Sequence, residues 1–114
     1  MASSKTGFLA IYNRTSPVYI LQSVPQEVLS RLEEAVFGNC PDSEKSALLH
    51  TLAYFFKYDG NTSAAANALY IHPNTFLYRL KKVATVTGLN PHRPRDAAVL
   101  YLLSMRWMLE SELL

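Results

Sequence analysis

A mainly α-helical bundle containing a helix-turn-helix is the fold class that the sequence predicts, and three observations carry it. Apolar residues recur at three- and four-residue spacing through most of the chain after Pro25, the period of helices that bury one face. Gly38, Asp59-Gly60 and Gly88 punctuate these runs where helices stop. Between two of those stops, Asn61 to Gly88 reads as two short helices joined by a tight turn, the second with exposed polar and basic side chains on one face.

Length and composition set the frame. With 114 residues the chain is one folded unit, large enough for a modest core without metal or disulfide support. Apolar residues at 49%, with only 4 Gly and 6 Pro, argue against disorder. Cys40 stands alone, which excludes an internal disulfide and a cysteine zinc site. No apolar run reaches the length of a membrane span and no signal peptide is ordered at the N-terminus, so a reducing cytoplasm is the expected compartment.

In chain order, Met1 to Gly7 reads as a loose leader. Phe8–Tyr12 and Val18–Gln22 are short apolar runs around Asn13 to Pro17, the arms of a short N-terminal β-hairpin or extended packing segments; either must lean on helices. After Pro25 the period becomes helical. Val28, Leu29, Leu32, Ala35 and Val36 share a stripe, Glu27, Arg31, Glu33 and Glu34 face out, and Gly38 ends the helix. A linker from Asn39 to Asp42 follows. Ser43 is the expected N-cap of a helix from Glu44 to Lys57, with Leu48, Leu49, Leu52, Phe55 and Phe56 inward. His50 lies away from most of that stripe and reads as a surface or boundary residue. Residues 1–42 are thus expected to be scaffold and linker, and residues 43–114 the helix-turn-helix domain.

Asn61 or Thr62 caps the next helix, which runs to about Leu69. Its small residues Ala64, Ala65, Ala66 and Ala68 let another helix approach closely, Ala66 at the crossing. Leu69 and Ile71 anchor the turn. Tyr70 stands where many such turns use Gly, so the turn must tolerate a bulky side chain. His72 is the expected N-cap of a helix from Pro73 to about Thr87, since proline suits a first helical turn, and Gly88 stops it. Phe76, Leu80, Val83 and Thr87 point inward. Asn74, Leu77, Tyr78, Lys81 and Lys82 are left outside or on the flanks. The last helix, about Arg95 to Glu112, has a stripe of Ala98, Leu102, Met105 and Leu109, flanked by Val99, Leu103, Arg106 and Trp107. With Leu100, Tyr101 and Met108 it is apolar over much of its circumference, as expected of a helix buried on more than one side or forming half of a dimer contact.

The charge distribution points to a polyanion. The formal net charge is only +2. Yet residues 60–95 carry Arg79, Lys81, Lys82, Arg93 and Arg95 with no Asp or Glu, while the segments on either side are net acidic. Local positive potential is what an approach to phosphates requires. A helix-turn-helix uses it to bring one helix to the DNA backbone and grooves. Asn74 suits a bidentate pair with adenine, and Thr75 a phosphate or a thymine methyl. Tyr78, Lys81 and Lys82 suit phosphates, which position without specifying. Thr62 and Ser63, opening the preceding helix, can donate to a phosphate. Arg79 lies beside the inward stripe, where a structural role, pairing with a carboxylate or backbone carbonyl, competes with a functional one.

Gly60-Asn61, Ser63-Ala64-Ala65, His72, Asn74-Thr75, Tyr78-Arg79-Leu80 and Thr87-Gly88 occur here in an order and spacing that resembles the C-terminal helix-turn-helix domain of the PucR and CdaR bacterial transcription regulators of purine catabolism and sugar diacids. The resemblance extends upstream through Leu49 and Leu52 and downstream through Pro94 and Asp96. It covers residues 44–110 well and 17–38 weakly. It implies a Fis-like helix-turn-helix, double-stranded DNA as partner through residues 73–87, a homodimer through the C-terminal helix, and an effector bound by an upstream region of a longer protein. DNA-contacting positions implied are Thr62, Ser63, His72, Asn74, Thr75, Leu77, Tyr78, Lys81 and Lys82. Pro73 and Leu77 replace residues that are commonly basic in the family, so affinity or target sequence is expected to differ from that of relatives.

The competing expectation is a helical dimerisation or protein-interaction module that has lost DNA binding. An enzyme is the poorest reading. His50, His72 and His92 lack metal-ligand spacing, and no phosphate loop or paired carboxylates stand out. No metal or cofactor is expected.

Overall fold

The computed structural model describes residues 16–111. Their elements are α1 (Pro17–Ser23), α2 (Gln26–Phe37), α3 (Asp42–Lys57), α4 (Thr62–Ala68), α5 (Pro73–Thr87) and α6 (Pro94–Glu110). The first arm of the expected hairpin, Phe8–Tyr12, and the leader before it lie outside these residues.

The segment read as its second arm, Val18–Gln22, is helical instead. Ser16 Oγ accepts from the Val18 N–H at 3.1 Å, and Pro17 occupies the first turn. Val18 and Leu21, three apart, are both buried. The Ser-Pro start is a capping signal that outweighs the β-branched run.

In α2 the buried face turns relative to the expected stripe. Leu29 and Phe37 are buried, Leu32 and Val36 half-buried, and Val28 is 49% exposed. Glu33, expected outside, turns inward and joins three helices. One carboxylate oxygen accepts from Lys45 Nζ at 2.8 Å and the other from Arg106 Nη1 at 3.1 Å. Arg106 Nη2 also donates to Ser30 Oγ (3.0 Å) and Gln26 Oε1 (3.3 Å). Its Nε, 3.4 Å from Glu110 Oε2, makes an ion-pair contact without a hydrogen bond. Glutamate is tolerated on the inner side because two cations satisfy both of its oxygens.

The largest helix contact is between α3 and α6. Leu48, Leu49, Leu52 and Phe55 of α3 are buried with Leu100 and Leu103 of α6 in one cluster. Thr51 and Ser104 are also buried, their hydroxyls donating to the Ala47 and Tyr101 carbonyls. The expected α6 stripe is corrected here: Leu100, Leu103, Ser104 and Met108 are buried, whereas Ala98 is exposed and Leu102 half-buried. An almost uniformly apolar helix has no periodicity strong enough to select its inner face. The helix α3 begins at Asp42 rather than Glu44, and Ser43 makes no capping bond. His50 is half-buried between Tyr54 (5.0 Å between ring centroids) and Trp107 (5.1 Å). Burial first, and the nearby Arg79 charge second, hold its pKa below 6.5.

The α4–α5 pair follows the expected plan. Asn61 Oδ1 caps α4 through the Ala64 N–H at 3.0 Å. Ala65 and Ala66 have no exposed surface. At the end of α4 the Ile71 N–H returns to the Ala66 carbonyl and the Tyr70 N–H to the Asn67 carbonyl, closing the helix with a left-handed residue as glycine usually does. That residue is Tyr70, at φ 58° and 95% exposed. Its ring buries almost nothing to offset the backbone strain. Tyr70→Gly is therefore expected to raise stability by about 0.5–1 kcal/mol, read as a higher urea midpoint at unchanged slope.

Candidate nucleic-acid interface

The helix α5 carries the site, and both of its ends are fixed locally. His72 Nδ1 accepts the Asn74 N–H at 3.0 Å, and Pro73 fills the first turn. Gly88, at φ 75°, closes the other end through the Ala84 carbonyl. Phe76, Leu80 and Val83 are buried with residues of α3, α4 and α6. The opposite face of α5 is consequently turned to solvent.

On that face Asn74, Thr75, Leu77, Tyr78 and Lys81 are exposed, with His72 at its N-terminal edge. Asn74, Lys81 and Thr85 fall nearly in line, since seven residues make about two helical turns. Lys81 has no ion pair among the described residues. Ser63, exposed, and Thr62, half-buried, open α4 next to it in sequence.

Lys82 is placed differently from Lys81. Its Nζ lies 2.7 Å from Glu44 Oε2 of α3. The hydrogen bond to Glu44 raises the Lys82 pKa, and the same bond lowers that of Glu44. Glu44 also accepts from the Cys40 thiol at 3.6 Å, and burial pushes that thiol's pKa up. A phosphate at Lys82 would have to compete with a carboxylate already in place. Arg79 is half-buried and, among the described residues, has neither the carboxylate nor the carbonyl partner that a structural role would supply; its charge acts on His50.

A second element beside α5 escaped the sequence reading. The turn from Leu89 to Arg93 is held by the Asn90 N–H on Asp96 Oδ2 (2.9 Å), the His92 N–H on Asn90 Oδ1 (2.8 Å) and the Leu89 N–H on Thr87 Oγ1 (3.0 Å). Phe55 meets the His92 ring edge-on at 5.4 Å. Together with α5 this turn walls a hollow of about 280 Å³ lined by Leu77, Leu80, Lys81, Ala84, Asn90, Pro91 and His92. Exposed Arg93 and Arg95 follow. Their charges were legible in the sequence; the adjacency of the turn to Leu77 and Lys81 was not.

Among the described residues no group of three His, Cys, Asp or Glu is arranged to hold a metal ion, and no helix is long and apolar enough to cross a membrane.

Residues 48–104 match the family model described as the PucR C-terminal helix-turn-helix domain. Similar proteins include the purine catabolism regulatory protein of Bacillus subtilis, 30% identical over 75% of this chain and 17% of that protein. The carbohydrate diacid regulator of Escherichia coli is 38% identical over 48% of this chain and 14% of its own length. An uncharacterized protein of Mycobacterium tuberculosis is 45% identical over 46% of this chain and 13% of its own length. The chain thus spans less than a fifth of these relatives. No solved structure matches it.

Proposed function

The chain belongs to the family of PucR C-terminal helix-turn-helix domains, a class of transcription regulators and not of enzymes, and from that premise we propose that it binds double-stranded DNA with α5 in the major groove. One observation carries the reading: the solvent face of a firmly capped α5 presents Asn74, Thr75, Tyr78 and a Lys81 that has no ion pair among the described residues, in a segment without a single carboxylate. A base-reading amide, hydroxyls and a free cation on one helix face match the donor and acceptor pattern of base edges flanked by phosphates. His72, the N-cap of that helix, and Thr62 and Ser63 at the start of α4 serve as phosphate contacts on this reading. Lys82 contributes less, because Glu44 holds it.

On this reading residues 43–114 are the output domain of a cytoplasmic regulator, residues 1–42 scaffold connecting it to an upstream effector-binding region. Two copies meet through α6 and address two half-sites. Support for that contact is the apolar hollow of about 430 Å³ walled by Ile20, Phe56, Ala98, Tyr101 and Leu102.

The test is retention of pooled genomic DNA fragments by the purified chain at low and moderate salt. Selective retention that falls steeply with salt is expected. Lys81→Ala should weaken binding to all fragments and flatten the log–log salt slope by about 0.9, one phosphate's worth. Lys82→Ala should do less, and Asn74→Ala should alter which fragments are kept. Retention unchanged in the Lys81→Ala, Lys82→Ala double variant would remove α5 from the interface. A second reading, a protein-interaction module without DNA binding, draws on the apolar Leu77 and on Pro73; salt-independent self-association with no DNA retention would favour it.

A further inference from the structure

Leu77 is an anomaly on α5. The core side of the helix is already filled by Phe76, Leu80 and Val83, each at most 3% exposed, while Leu77 remains 39% exposed. It stands one turn after Asn74 and one before Lys81, within about 60° of both around the helix axis. Leu77 is itself part of the wall of the hollow of about 280 Å³, whose lining is largely apolar and includes Leu80, Ala84 and Pro91 together with Lys81, Asn90 and His92. The bonds of Asn90 to Asp96 and of His92 to Asn90 hold the far wall in position. An apolar side chain that lines a largely apolar recess therefore sits between Asn74 and Lys81 on a polar face.

We infer that Leu77 reads the C5-methyl group of a thymine, making it a specificity-determining residue of the interface; this rests on the DNA-binding reading above. The chemistry leaves one partner. Across the four base pairs the major groove offers hydrogen-bond donors and acceptors and a single apolar group, the thymine methyl. Leucine can satisfy no donor or acceptor. Placed against guanine, cytosine or adenine edges it desolvates polar atoms without replacing their hydrogen bonds, which costs affinity. Placed against a thymine methyl it buries apolar surface on both sides. A basic residue at the same place would instead select guanine or a phosphate. Leucine at this place thus favours a thymine where a cation would favour guanine or a phosphate.

The experiment uses the full chain and random-sequence 20-base-pair duplexes synthesised either with thymine or with deoxyuridine, which lacks only the methyl group. Wild type is expected to enrich one T position within its selected sequence. Replacing that thymine by uracil should weaken binding about fourfold, the worth of one buried methyl. Uracil at other positions should have little effect. Leu77→Ala, compared at a temperature where its unfolding curve shows it fully folded, should bind thymine and uracil versions equally, with its salt slope intact. Equal binding of both versions by wild type overturns the inference and leaves DNA binding standing. So does methyl sensitivity that survives Leu77→Ala, because another side chain must then do the reading. Absence of any duplex retention at low salt defeats the DNA-binding reading itself, and this inference with it.

Discussion

Phe76→Ala is expected to destabilise the protein by about 3–5 kcal/mol, enough to bring a domain of ordinary stability close to its unfolding threshold. Phe76 has no exposed surface and belongs to the buried cluster shared by α2, α3, α4, α5 and α6. It lies one turn into α5, on the side where that helix meets α3 and α4. Truncation removes the burial of an aromatic ring and leaves a cavity that rigid neighbours cannot close. Ala65 and Ala66, with no exposed surface, have no side-chain reach with which to fill it. The thermal midpoint should fall by at least about 12 °C, with loss of cooperative unfolding in the worst case. Phe76→Leu should cost roughly a third as much, since most of the volume is kept. A drop below about 1 kcal/mol for the alanine variant would mean that α5 is not anchored through this residue.

Glu33→Gln is the second large expectation, at about 1.5–3 kcal/mol. Glu33 supplies one oxygen to Lys45 and the other to Arg106, and the Arg106 side chain is only 13% exposed. Neutralising the carboxylate leaves a nearly buried guanidinium without its charged acceptor. The neighbouring Glu110, 58% exposed and without a hydrogen bond to Nε, offers poor compensation. Glu34→Gln is the control: the same chemistry one residue on, at an exposed position, should change stability by less than about 0.5 kcal/mol. The combined Glu33→Leu, Arg106→Met replacement should recover much of the loss, because a half-buried ion pair gains little over well-packed apolar residues. Chemical unfolding of the four proteins decides the matter. Equal stability of Glu33→Gln and Glu34→Gln would show that α2 is not held to α3 and α6 through Glu33.

The two halves of the chain differed in how much they disclosed. From Asn61 to Gly88, local chemistry and tertiary fold agree: Asn61 and His72 cap their helices through their own side chains, Pro73 and Gly88 mark the ends of α5, and Phe76, Leu80 and Val83 are the buried residues. Helix ends there are set by hydrogen bonds within four residues of the cap, which a sequence reports directly. The faces of α2 and α6 were misjudged for opposite reasons. Glu33 looked like solvent surface because its two cations lie 12 and 73 residues away. The helix α6 has too many apolar residues for its period to choose an inner side, and only packing against α3 chose one.

The same division holds for the candidate site. The sequence by itself determined the helix-turn-helix, its family and the acid-free basic segment, because caps, turn residues and charge counts are local properties that tertiary packing rarely reverses. Only the tertiary structure decided which basic residues remain available. Lys81 and Lys82 are adjacent and chemically identical, yet a rotation of about 100° around the helix leaves one in solvent and sets the other against Glu44. The turn that backs Leu77 is likewise brought to α5 by contacts with Phe55 and Asp96. Pairings across such distances depend on how helices cross, and no local pattern encodes that crossing.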